Sequence, residues 1–107
     1  MTTNTPRVEH WVTERDGPLS EAAMRRKLEA RGYRVTGYVY PPGTVFPDHV
    51  HAADKIDAVL SGQFRMVLEG VEAILGPGDC LAVPRNAVHS AAVVGDAPVV
   101  SLDAVRG

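Results

Sequence analysis

The sequence predicts an all-β domain, a sandwich or a barrel, preceded by one helix. From residue 33 onward, short runs of β-branched and apolar residues alternate with turn segments rich in Gly, Pro, Asn or Asp. Seven or eight such runs at this spacing are typical of an antiparallel sandwich or barrel rather than of a parallel α/β sheet. No repeat or linker divides the 107 residues, so we expect one domain.

The N-terminal third carries the predicted helix. Residues 1–18 are polar, with residues 8–12 as a candidate edge strand, and the helix is expected over 19–32. Ser20 is a suitable N-cap and Gly32 a suitable C-terminal stop, while Met24 and Leu28 share one apolar face. The remaining residues, 33–107, are expected to form the β-domain, with candidate strands at 34–40, 45–51, 56–60, 64–68, 72–75, 80–83, 89–94 and 99–104.

Composition excludes several classes of partner and location. The net charge of −2 gives no electrostatic basis for binding nucleic acid or an anionic membrane. No apolar run approaches the roughly 20 residues of a membrane span, and the N-terminus lacks the apolar centre of a secretory signal. The single cysteine, Cys80, is expected to be a small buried residue and is compatible with a cytoplasmic protein.

Two histidines at i and i+2 provide the first candidate site. His49 and His51 lie in a predicted strand, so both imidazoles are expected to point to the same face and to be available to one metal ion. They stand in a frame that runs Gly43, five residues, His49, one, His51, three, Lys55, six and Gly62. A second frame runs Gly78, five residues, Pro84, one, Asn86, two, His89, three and Val93.

Together these frames resemble the two motifs of the cupins. In that family the first frame has Glu at the position of Lys55, and the second has Gly and Asn at the positions of Asn86 and Val93. The resemblance covers roughly residues 33–104 and implies a small antiparallel jelly-roll barrel, a cupin barrel. It also implies that His49, His51 and His89 converge in the barrel as ligands of one divalent transition metal, such as iron, nickel, zinc, copper or manganese. A homodimer is expected on the same ground, with residues 8–12 as a candidate contact. His10 lies outside both frames and is expected at the surface.

Lys55 is the departure that bears on function, because it replaces the anionic ligand. Two unit charges 4 Å apart interact by roughly 4 kcal/mol at an effective dielectric constant near 20, and a dication doubles that repulsion. One alternative is that Lys55 turns away and pairs with Asp57. Another is that Asp54 or Asp57 supplies an oxygen ligand. A third is that the cavity holds no metal. A desolvated, neutral Lys55 would be a candidate catalytic general base or, less readily, a Schiff-base nucleophile.

Three functions remain open at this point. The first is a small cupin with a three-histidine mononuclear metal site, acting as a dioxygenase, isomerase or decarboxylase on a small polar molecule. The second is a non-catalytic, metal-free cupin that binds a small ligand in the same pocket. The third is a purely structural dimerisation module, for which a cavity plugged by apolar side chains is expected. Candidate residues for lining a pocket or an interface are Tyr38, Tyr40, Phe46, Gln63, Arg65 and Met66.

Overall fold

The computed structural model describes residues 7–107 and shows two antiparallel sheets that enclose a barrel. The first sheet has the strand order β1-β7-β4-β9-β2 and the second has the order β3-β8-β5-β6. The strands are β1 Val8–Glu9, β2 Arg34–Tyr40, β3 Val45–His49, β4 Asp54–Ser61, β5 Phe64–Leu68, β6 Val71–Leu75, β7 Cys80–Val83, β8 His89–Val93 and β9 Val99–Arg106. The predicted all-β architecture is confirmed, and residues 1–6 of the predicted N-terminal segment lie outside the described range.

Strand β4 shows how the sequence pattern fills both faces of the larger sheet. Ile56 and Ala58 face outward and are buried in a cluster with the helix, whereas Val59 belongs to the cluster inside the barrel. Because side chains alternate along a strand, Lys55 and Asp57 point into the barrel with Val59. A strand buried on both faces therefore carries two charged residues into the interior.

Helix α2, Glu21–Glu29, covers the outer face of this sheet. Ser20 is its N-cap, as predicted, and its hydroxyl accepts a hydrogen bond from the Ala23 amide at 3.0 Å. Met24 and Leu28 are fully buried against the sheet, which is where the predicted apolar face places them. The helix thereby covers the face of the sheet that points away from the barrel interior.

A second helix, α1 Thr13–Asp16, was not predicted. Four residues are too few for an apolar periodicity, so no sequence pattern marks this turn. An ion pair with another helix stabilises it, since Lys27 Nζ of α2 lies 3.1 Å from Asp16 Oδ2. Neither α1 nor α2 has the length and apolar character that crossing a membrane requires.

The glycines of both motif frames have a structural role in the backbone. Gly62 has φ +82° and a Cβ built on it would lie 2.3 Å from the Pro98 carbonyl oxygen. Asn86, which stands in place of a glycine, has φ +64°, a conformation that asparagine tolerates better than most residues. Its amide donates to the carbonyl of His51 at 2.8 Å, so the two frames are joined directly beside the site.

Candidate metal centre

Three histidines converge inside the barrel. His49 ends β3 and pairs across the strands with His89 at the start of β8, while His51 follows β3 in the adjoining loop. One potential ligand atom from each of the three rings lies within 4.8 Å of the other two. The spacing suits ligands that surround a single ion, so the structure brings together all three histidines that the sequence singled out.

Backbone carbonyls determine which nitrogen of two of these rings is free. The His49 Nδ1 lies 2.6 Å from the Pro47 carbonyl oxygen, and the His89 Nδ1 lies 2.9 Å from that of Ala87. A carbonyl only accepts, so each Nδ1 carries the proton and donates it. The lone pair of each ring then resides on Nε2, and this is how metal-binding histidines are commonly oriented.

The third ring offers a nitrogen without a partner. Within the part of the chain that the structure describes, His51 Nε2 is buried and makes no hydrogen bond. Burial lowers the pKa of His51, and the nearby charges of Lys55, His49 and His89 lower it further. Burial likewise lowers the pKa of His89. Neutral imidazoles are the form that binds a cation, and a buried nitrogen without a partner costs free energy that a metal would recover.

Lys55 faces the histidines from the opposite sheet and does not turn away. Its ammonium is nearly buried and lies 2.7 Å from Asp103 Oδ1, although the contact lacks the alignment of a hydrogen bond. Pairing with Asp57 was one of the alternatives open for Lys55, and the structure shows Asp103 as its partner instead. Asp57 is directly opposite Asp103 across β4 and β9, so Asp103 is diagonal to Lys55 and within reach of its long side chain.

Asp57 is the most buried acid of the site, with 9% of its surface exposed. Burial raises its pKa to about 7, with the charge of Asp103 adding to this and that of Lys55 opposing it. Like charges in a buried site resist ionising together, so the neighbouring carboxyl of Asp103 favours the protonated form of Asp57. Asp54, the other candidate oxygen ligand, instead accepts a hydrogen bond from the Arg85 amide at 3.0 Å.

The three histidines and the charged residues opposite them line one cavity of about 280 Å³. The three histidines lie on one side, the cluster of Lys55, Asp57 and Asp103 on the other, and an aromatic and apolar wall lies between them. Of the predicted lining residues, Tyr38, Tyr40, Phe46 and Met66 contribute to this wall. Arg65 does not line it; the guanidinium is half exposed and pairs with Glu72. An open cavity with polar walls is not the apolar plug expected of a purely structural module.

Cys80 and His10 lie outside the cavity. Cys80 is buried beside Met24, and burial raises the pKa of the Cys80 thiol to about 12, so an inert structural role fits it. His10 is a surface residue, as expected, and its Nδ1 lies 2.6 Å from Asp79 Oδ1. The cytoplasmic location that a single cysteine favours stays a prediction.

Comparison with known proteins places the chain in a family. The family model of the cupin domain matches residues 38–105. The chain belongs to the cupin family. A comparison with curated proteins finds no match.

Among solved structures, this cupin is similar to proteins of several kinds. KdgF from Halomonas sp. is 31% identical, with 70% of each chain covered and a TM-score of 0.58. The DMSP lyase DddQ from Ruegeria pomeroyi DSS-3 is 33% identical over 68% of this chain, with a TM-score of 0.60. This cupin spans only 38% of the length of that lyase. An RmlC-like cupin from Shewanella frigidimarina NCIMB 400, 22% identical over 68% of this chain and 64% of its own, with a TM-score of 0.62, shares the fold.

Sequence reasoning missed Asp103. A signal for it exists, since an aspartate interrupts the apolar strand around residues 99–105 at a position that shares its face with Ser101 and Val99. A charged residue in a strand of this kind is rarely buried without a partner. Its partners follow only from the register of β9 against β4, which the sequence does not reveal.

Proposed function

We propose that this cupin binds one divalent transition metal through His49, His51 and His89 and acts on a small polar molecule in its cavity. The observation that carries the proposal is the convergence of three imidazoles, two oriented by backbone carbonyls and one with a buried unpartnered nitrogen. A neutral nitrogen donor set suits iron, nickel, copper, zinc or manganese, with imidazole favouring the later metals of this group. When bound, such an ion supplies Lewis acidity or, for iron and copper, redox chemistry.

The chain's own residues have separate roles in this proposal. The histidines hold the ion, and the aromatic wall excludes water from the bound molecule. Lys55 is the proposed catalytic residue. Because its ammonium is paired with Asp103, it is suited to holding an anionic group of the substrate rather than to acting as a base. The reaction classes under consideration remain dioxygenation, isomerisation and decarboxylation, and a structural neighbour that is a lyase supports an enzymatic role.

The ion pair of Lys55 and Asp103 also explains how the ammonium and a dication are compatible. An isolated ammonium in the cavity would repel the ion by several kcal/mol at short range. Asp103 offsets that charge at 2.7 Å and draws the ammonium toward the sheet opposite His49 and His89. The same buried cation is the specific observation that favours the second candidate function, a metal-free cupin that binds an anionic ligand through Lys55.

The histidine site is tested with protein purified without a histidine tag. We expect about one metal ion per chain after incubation with zinc, and His49→Ala is expected to lower zinc affinity at least about tenfold, because it removes a direct ligand. The matched control is His10→Ala, a surface histidine whose loss should leave affinity unchanged. Metal content by mass spectrometry and titration calorimetry provide the measurement. Absence of metal after incubation with iron, nickel and zinc contradicts the proposal and favours the metal-free function.

We also propose that the protein is a homodimer and that the free edge of β2 contributes to the interface. Strand β2 ends the larger sheet and exposes Tyr38 and Val39, and Val45 is exposed on β3, an edge strand of the second sheet. Val39 and Val45 are 65% and 68% exposed, and an apolar group of this kind at an unpaired edge is a common contact between chains. The candidate contact at residues 8–12 is less favoured, since Val8 and Glu9 pair with Leu81 and Cys80 of the same chain.

The interface proposal predicts that Val39→Asp dissociates the dimer. A buried carboxylate without a partner would weaken association by roughly tenfold or more. Ile74→Asp is the control, because Ile74 is an exposed apolar residue of β6, which is the opposite edge of the second sheet from β3. Light scattering coupled to size exclusion measures the mass. A parent protein that is monomeric at every concentration, or a Val39→Asp variant that is as dimeric as the parent, contradicts the proposed interface.

A further inference from the structure

The cluster of Lys55, Asp57 and Asp103 combines two carboxyls and one ammonium in the wall of the cavity. Asp57 and Asp103 are paired across β4 and β9, and Lys55 lies 2.7 Å from Asp103. All three side chains line the cavity, and none of them is more than one-fifth exposed. Charged groups of this kind are rarely gathered in a small barrel for stability alone, because an apolar replacement of buried ions is often neutral or stabilising.

The charges of this cluster favour one bound proton. A single ammonium offsets one carboxylate, and no other cationic side chain lines the cavity among the described residues apart from the histidines, which face it from the other side. Tyr38 and Tyr40 of β2 also line the cavity. Burial, together with the charges of Asp103 and Asp57, raises the pKa of Tyr40 to about 12, so its phenol stays neutral. The proton therefore resides on the carboxyl pair, on the more buried Asp57.

The charge of the whole cavity indicates the class of substrate, provided that the proposed function holds. A bound dication and Lys55 together exceed the single negative charge of the carboxyl pair by about two, and side chains as buried as Lys55, Asp57 and Asp103 tolerate such an excess poorly. An anionic ligand removes it. The cavity of about 280 Å³ admits a molecule of only a few carbon atoms in contact with both sides.

We propose that Asp57 is the proton donor and acceptor for a small carboxylate bound between this cluster and the histidines, with Lys55 holding the carboxylate group of the substrate and Asp103 as a positioning residue. As a donor, the Asp57 O–H bond breaks, the proton bonds to a substrate atom that carries an electron pair, and the O–H electrons stay on the carboxylate. As an acceptor, the ionised Asp57 takes a proton from a substrate carbon beside a carbonyl, whose C–H electrons delocalise into that carbonyl. No electron leaves the substrate in either direction.

The first test asks whether Asp57 carries a proton in the metal-free protein. In protein with 13C-labelled aspartate carboxyls, one carboxyl is expected to titrate far above the ordinary range, and its signal should disappear in Asp57→Asn. Asp103→Asn should lower that midpoint, because it removes the neighbouring negative charge. If every aspartate carboxyl of the metal-free parent titrates below pH 5, the pair holds no proton and the proposal is overturned.

The chemistry is tested by exchange of the methyl protons of pyruvate for deuterium, followed by proton NMR with zinc-loaded protein. Asp57→Asn is expected to slow exchange roughly 100-fold, as for the loss of a general acid–base group, with zinc affinity unchanged. Asp96→Asn, an exposed aspartate, is the control. Equal exchange by parent and Asp57→Asn, or none by the parent, overturns the proposal. If the parent binds no zinc, the proposed function fails instead, and the titration of the metal-free protein still decides the proton site.

Discussion

Lys55→Glu is expected to bind divalent metal roughly 100-fold more tightly than the parent protein. The substitution removes a positive charge from the cavity and restores an anionic ligand at the position where the cupin motif has one. A unit charge 4 Å from another contributes roughly 4 kcal/mol at an effective dielectric constant near 20, and the new carboxylate must be desolvated, so a net gain of about 2.7 kcal/mol is a conservative expectation. Competitive titration with a zinc chelator measures the affinity.

A series of variants separates charge from ligation. Lys55→Met keeps most of the volume and removes the charge, so it should show the part of the gain that comes from lost repulsion. It also leaves Asp103 without its ion pair, and that cost is measured by the free energy of unfolding without metal. If Lys55→Glu binds zinc no more tightly than Lys55→Met, residue 55 does not reach the ion. If neither exceeds the parent, the ammonium is already fully offset by Asp103.

Much of the fold was predictable because this chain places its turn residues and its buried residues where local rules require them. The hairpin at Glu69 and Gly70 joins β5 and β6 between the strands predicted at 64–68 and 72–75, with both residues at positive φ. Asn86 occupies a left-handed position that its side chain permits. The resemblance of the two motif frames to those of the cupins implied that the three histidines converge, and the structure brings them together.

The side of the cavity formed by Lys55, Asp57 and Asp103 was less predictable than the side formed by the histidines. The partner of Lys55 depends on the register of β9 against β4, a contact between strands that are far apart in the sequence. Local rules gave only the i+2 neighbour, Asp57, which does share the inward face but lies along the strand rather than across it. Asp103 comes close to Lys55 only when the barrel closes. The short helix α1 likewise depends on a contact from outside its own segment, with Lys27.

The free energy of unfolding of the parent is expected to fall as the pH rises from about 4 to 7, and this fall is expected to be absent in Asp57→Asn. The pKa of Asp57 is raised from an ordinary value of 3.8 to about 7, chiefly by burial. Between these values the folded state retains a proton that the unfolded state has released, so the free energy of unfolding falls as the pH rises and levels off above pH 7. At about 1.4 kcal/mol per unit, the decrease is on the order of a few kcal/mol.

Chemical denaturation at several pH values between 4 and 8 measures this difference. Other acids act in the opposite direction, since ion pairing with Arg31 lowers the pKa of Glu9 to about 2, and its contribution is lost only as the pH falls toward that value. The comparison of parent with Asp57→Asn removes that background, and Asp96→Asn is again the surface control. Parallel pH profiles for parent and Asp57→Asn would mean that Asp57 is ionised in the folded protein throughout this range. Lys55 would then have to offset two carboxylates at once, which a single ammonium in a buried cavity does poorly, and the slope of the parent profile decides between these states.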